Sequence, residues 1–269
     1  MKYGRVIVPI VFLGCIVVLI TSYSIWKSKI EMAKGETNNS QTEVTTIIEE
    51  ENEQTEEIPT LSREMIEKSV VNMDETVQEL VLNRFDAGEQ VQMLIVGSTA
   101  MDDGSPGYAE LLAEALANTY GDFFETSVAS FDGTSKDFID KNVDKIEWTK
   151  MYDLVLYEPF TLSNNGKVKV EDEHKHIQAL EEIVQTEVSD AVLILHPSYP
   201  IYEASFYLFQ IEALEKYATK KTYPYINHWS SWPSTSDEKL TTLLTEDNSP
   251  NSEGAKVWAS SLITYFTAK

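Results

Sequence analysis

Basic residues are scarce in this chain of 269 residues: 21 Lys and Arg stand against 44 Asp and Glu, a formal net charge of −23. Phosphate binding needs clustered Lys and Arg, so nucleic acid and an anionic membrane surface are poor partners for it. Cysteine is rarer still, with Cys15 alone. It falls inside an apolar run, so the rest of the chain has no disulfide and carries no sign of its redox compartment. No self-similarity at solenoid period is present, which removes repeat architectures.

What is present begins with that apolar run. From Val6 to Trp26 there is no charge, and a helix of roughly 20 apolar residues spans a bilayer core. No small-residue cleavage site precedes the acidic region, and Phe12-Leu13-Gly14 before Cys15 is a poor lipidation box. Residues 1–27 therefore read as a retained transmembrane anchor. Lys2 and Arg5 precede the span and Lys27, Lys29 and Lys34 follow it, so basic residues leave orientation nearly balanced. The acidic remainder decides it, and the expectation is a single-pass cell-membrane protein with its C-terminal domain outside.

Residues 28–60 are rich in Glu, Thr, Asn, Ser and Gln. Low hydrophobicity with one dominant sign of charge predicts a disordered, self-repelling stalk. Residues 61–90 place Met65, Ile66, Val70, Met73, Val77, Leu80 and Val81 at helical spacing, and read as one leading helix.

Over 91–269 the pattern alternates. Strands are expected near Val91–Val96, Phe123–Ala129, Leu154–Tyr157, Ala191–Leu195 and Tyr223–Ile226, and helices near Tyr108–Asn118, Ser135–Ile146, Glu171–Glu187, Glu203–Lys220 and Asn251–Phe266. Short apolar strands, each followed by an amphipathic helix, predict a three-layer α/β/α sandwich with a parallel five-stranded sheet of flavodoxin-like type.

In such sheets ligands bind beyond the carboxyl ends of the strands. Those ends carry Gly97-Ser98-Thr99, Asp132-Gly133-Thr134, Glu158 with the loop to Asn164-Asn165-Gly166, His196-Pro197 and Asn227-His228. Two of the four histidines thus lie at strand ends. His174 and His176 are two apart on an expected helix and do not share a face, so no metal site is expected there. Tyr199, Tyr202, Phe206, Tyr207 and Phe209 suit core packing or a groove for sugar rings.

The layout over residues 91–268 resembles the SGNH, or GDSL, family of hydrolases. "GSTAMDDGSPGYAELLAEAL" looks like the family's nucleophile block, Gly133 in "FDGTSKDF" like the second block, Asn164 or Asn165 like the third, and "EDNSPNSEGAKVWA" like the last. The resemblance implies a serine-type ester hydrolase without cofactor, acting on a small ester or an acylated glycan. In direct register Thr99 holds the nucleophile position, and a shift by one gives it to Ser98. Gly133 with Asn164 or Asn165 would form the oxyanion hole, with Glu158 on the same substrate-binding loop. Ser249 and Glu246 stand where the family has its histidine and aspartate. A base would then have to come from His228, at the end of the last strand, with His196 the weaker candidate. The alternative is a catalytically inactive module of the same fold, binding a cell-wall glycan or a protein partner.

Overall fold

The structure is a computed structural model and describes residues 61–269, so the expected anchor and stalk lie outside the described residues. The leading segment is two helices where one was expected. Ser62 caps α1 (Arg63–Ser69) by accepting from the Met65 amide, a turn follows, and Asp74 precedes α2 (Glu75–Ala87). The apolar spacing runs through the turn because Val70 and Met73 stay buried along with Ile66, Val77 and Val81. Gly88, at φ 69, ends α2 in the left-handed conformation that glycine adopts without strain.

Strands and helices then alternate: β1 (Val91–Ser98), α3 (Tyr108–Tyr120), β2 (Phe124–Phe131), α4 (Ser135–Lys141), β3 (Leu154–Tyr157), α5 (Thr161–Asn164), α6 (Val170–Glu187), β4 (Val192–Leu195), α7 (Phe206–Lys221) and α8 (Ser252–Thr267). The sheet is parallel, with order β2-β1-β3-β4. Met93 pairs with Leu154, which pairs with Val192.

The expected fifth strand shrinks to a single bridge between Tyr225 and Leu195. The residues explain this. Thr222 is left-handed at φ 60, Pro224 has no amide to donate to a ladder, and a 3-10 turn begins at His228. Four strands remain, with helices on both faces.

Alternation along β1 divides the core. Met93 and Ile95 pack with α1, α2, α3 and α8 on one face, while Leu94 and Val96 pack with Phe138, Ile177, Leu180 and Leu214 on the other. The two leading helices therefore belong to the domain's own core, and the described residues, 61–269, fall in one compact unit. A partly buried ion pair holds them in place. Arg84 donates to Asp153 Oδ1 through Nε (2.9 Å) and Nη2 (2.7 Å), and Asp153 Oδ2 accepts from the Gln92 amide at 2.8 Å. No helix among the described residues is long and apolar enough to cross a membrane.

Candidate functional site at the carboxyl edge of the sheet

Strand β1 delivers Ser98 and Thr99 to the carboxyl edge, where they part company. Ser98 is 6% exposed, and its amide donates to Glu158 Oε2 at 2.9 Å while its hydroxyl reaches the same carboxylate. Thr99 opens a 3-10 turn, is exposed, and its hydroxyl meets no partner among the described residues. Gly97 is required by the neighbouring strand: a Cβ there would lie 2.7 Å from the Glu158 Cβ.

Glu158 is 1% exposed and organises the loop after β3. Its Oε1 accepts from the Thr161 amide at 3.2 Å, and the Phe160 amide also points at it. Burial raises its pKa against these hydrogen bonds, which stabilise the charged form.

The loop's amides are divided in the same way. Asn164 is fully buried: its Oδ1 accepts from the Ser135 amide (2.9 Å) and hydroxyl (3.2 Å), and its Nδ2 donates to Pro159 O (3.2 Å) and Glu173 Oε2 (2.7 Å). Both ends of that amide are spent inside the protein, so Asn164 has no donor left for an oxyanion. Asn165 is half-buried at the end of α5. Gly133, at φ 101, turns the chain after β2 into the capping box of α4, in which Thr134 and Asp137 satisfy each other.

The histidines turn inward. His228 is fully buried, with Nε2 2.8 Å from Pro197 O and Nδ1 accepting from Trp232 Nε1 at 3.0 Å. The carbonyl partner puts the proton on Nε2. The ring stacks on Trp258 with centroids 5.0 Å apart, and burial lowers its pKa to about 3. His196 is equally buried: Nδ1 lies 3.2 Å from Pro197 O and Nε2 lies 3.3 Å from the Tyr108 hydroxyl. Burial, then the neighbouring His228, hold its pKa well below the usual imidazole range. All four ring nitrogens thus have partners away from Ser98 and Thr99. The expectation of His228 as base gives way to a structural histidine, because the Pro197 carbonyl and Trp232 indole occupy both nitrogens and burial makes the ring a weak base.

The remaining histidines stand elsewhere. His176 Nδ1 is 2.8 Å from the fully buried Ser135 hydroxyl, and His174 stacks on Tyr217.

At the edge, partly open to solvent, is a set of hydroxyls and carboxylates of which Asp102, Asp103 and Ser130 were not singled out from the sequence. Ser130, near the end of β2, donates to Asp102 Oδ2 at 2.5 Å. Ser249 reaches both Asp103 and the Tyr199 hydroxyl. Burial raises the Asp103 pKa, and the Ser249 hydroxyl offsets part of that rise. Beside this set, between α3 and β2, Met101, Asp102, Glu110, Ala113 and Val128 line a cavity of about 340 Å³. The only available signal was the pair Asp102-Asp103 just after Gly-Ser-Thr. No group of three or more His, Cys, Asp or Glu among the described residues is placed to hold a metal ion.

No family model matches the chain, and no curated protein matches it. Solved structures do. A carbohydrate esterase family 3 protein from Talaromyces cellulolyticus superposes with a TM-score of 0.51 at 12% identity, over 64% of this chain and 94% of that one. A putative GDSL-like lipase from Parabacteroides merdae gives 0.53 at 10% identity over 66% and 95%. The domain has the SGNH/GDSL hydrolase fold. An acetylxylan esterase from Geobacillus stearothermophilus adds a TM-score of 0.50 at 14% identity, over 65% of this chain and 94% of that one. These neighbours are named as esterases and lipases, and what this domain shares with them is the fold. As an SGNH-fold domain it is divergent, at 10 to 14% identity to these structures.

Proposed function

We propose that this SGNH-fold domain binds an uncharged, acylated carbohydrate at the carboxyl edge of β1 and β2, outside the cell and tethered by the N-terminal apolar segment. The observation that carries the reading is the division of polar groups at that edge. Every ring nitrogen of His196 and His228 is engaged in the interior, while Thr99 and Asp102 are exposed and the half-buried Ser130 donates to Asp102. Hydroxyls and carboxylates suit the hydroxyl groups of a sugar, and anionic ligands would be repelled. Met101, Ala113 and Val128 offer an apolar wall for an acyl group beside Asp102 and Glu110. The substrate class also draws on the esterases that share the fold.

A second reading, hydrolysis with a carboxylate in place of the histidine, is favoured by the position of the Ser98 hydroxyl beside Glu158, whose carboxylate accepts from the Ser98 amide. A serine needs an adjacent base, and Glu158 is the group that touches it.

One experiment separates the readings. Residues 57–269 are titrated with acetylated and deacetylated xylo-oligosaccharides and assayed for acetate release, alongside Asp102→Asn, Ser98→Ala and Glu158→Gln. Binding that needs the acetyl group, weakens in Asp102→Asn and releases no acetate supports the binding module. Acetate release lost in Ser98→Ala and Glu158→Gln supports the hydrolase. Neither binding nor release overturns both.

A further inference from the structure

Three of the large apolar side chains that the domain leaves exposed sit on one turn of α7: Phe206 at 59%, Leu208 at 38% and Phe209 at 57%. Singly exposed apolar residues are ordinary, but Phe206 and Phe209 share one face of the helix, with Leu208 on the other, and clustered exposure marks an interaction surface. Phe206, Phe209, Ala213, Lys216, Tyr217 and Lys220 recur at helical spacing and form one stripe along the helix. Most of them line, with His174 of α6, a cavity of about 310 Å³ whose wall is mostly apolar. That volume has room for an aromatic side chain.

We propose that this stripe is a self-complementary interface joining two copies of the domain, with α7 packed antiparallel to its counterpart about a two-fold axis at Ala213. The register follows from the residues. An antiparallel pair centred on 213 sets position 206 opposite 220 and position 209 opposite 217. Each Phe209 then enters the cavity beside Tyr217 of the other copy, and each Phe206 lies against a Lys220 as a cation–π pair. Ala213 at the crossing lets the backbones approach to the 8–10 Å of ordinary helix packing. Charge also selects this arrangement. A parallel pair would stack Lys220 on Lys220, whereas the antiparallel pair keeps these lysines apart and sets each against Phe206; Lys216 is already paired with Glu212 at 2.5 Å. Because the same patch serves both copies, the contact closes as a dimer and does not propagate.

One helix face is a small interface, so the dimer is weak in dilute solution and gains from tethering, which raises the effective concentration of one copy near another. The inference does not depend on the ligand proposed above, since α7 contributes nothing to the exposed hydroxyl and carboxylate set.

The test uses residues 57–269, which contain no native cysteine. Sedimentation of the unmodified domain is expected to rise from monomer towards dimer with concentration, and Phe206→Ser/Phe209→Ser is expected to abolish the rise. Ala213→Cys, at the axis, is expected to form a disulfide-linked dimer in a glutathione redox buffer about tenfold faster than Val71→Cys, an exposed control 62% accessible on another element. Both variants change exposed or half-exposed positions, and circular dichroism checks that each is folded. A domain monomeric at every concentration, or equal cross-linking at 213 and 71, overturns the proposal. So does a monomer whose phenylalanines bind phosphatidylglycerol vesicles, which would assign the patch to lipid.

Discussion

On the β3 and β4 side of the carboxyl edge, Glu158, Asn164, His196 and His228 are all at most 1% exposed, and each of their side-chain polar atoms has a protein partner. On the β1 and β2 side, Thr99 and Asp102 face solvent and Ser130 is half-buried. The first group contains the residue types that an esterase would use, yet burial has committed them to holding loops together. The second contains plainer residues, more open to solvent, of which Ser130 and Asp102 bond to each other. Polarity at a strand end is therefore a weak guide to chemistry until its hydrogen bonds have been traced.

If the buried side is structural, breaking it should cost stability first. Trp258→Ala, which removes the ring beneath His228 and Tyr108, is expected to lower unfolding free energy by about 4 kcal/mol in urea denaturation at pH 7. Asn164→Leu should follow at about 3 kcal/mol, because Ser135, Pro159 and Glu173 lose their partners in a site closed to water.

Acidity sharpens the same contrast. Burial raises Glu173 from 4.5 to about 7, so the folded state holds a proton that the unfolded chain releases. That stabilisation is complete below pH 4.5 and is lost as pH rises through about 7. Urea unfolding from pH 4.5 to 8 should show this decline in the unmodified domain and not in Glu173→Gln. His228 has the opposite sign. Its pKa falls from 6.5 to about 3, so its contribution is present above pH 6.5 and is lost as pH falls towards 3. Imidazole nitrogen shifts in NMR should show the His228 ring neutral down to about pH 3, and the His196 ring neutral well below the usual imidazole range as well. The smallest effect is expected on the open side: Thr99→Ala should change stability by less than about 0.5 kcal/mol. A loss comparable to that of Asn164→Leu would erase the contrast between the two sides.

Strand β3 was legible to the residue because Leu154–Tyr157 is an apolar run bounded by turns, and α8 because Asn251 caps it through its side chain. The fifth strand misled because apolar content spoke louder than Pro224. The candidate site was legible as an edge, since Gly-Ser-Thr does end β1 there. Its inner workings were not, because they depend on partners distant in sequence. Asn164 is claimed by Ser135 and Glu173, and His228 by Pro197 and Trp232. The Asp102–Ser130 contact joins two strand ends 28 residues apart.

The ion pair between Arg84 and Asp153 also has a mechanical meaning. A pull on the amino-terminal end of the domain would run along α1 and α2 and reach the sheet through this clamp and the apolar contacts beside it, at the end of the strands opposite the ligand edge. Drag on a bound polymer would load the carboxyl edge, while a tether would load the amino edge, so the parallel strands would carry the force lengthwise. A domain cut at residue 91 would lose this coupling and leave the Asp153 carboxylate, 4% exposed, without its guanidinium.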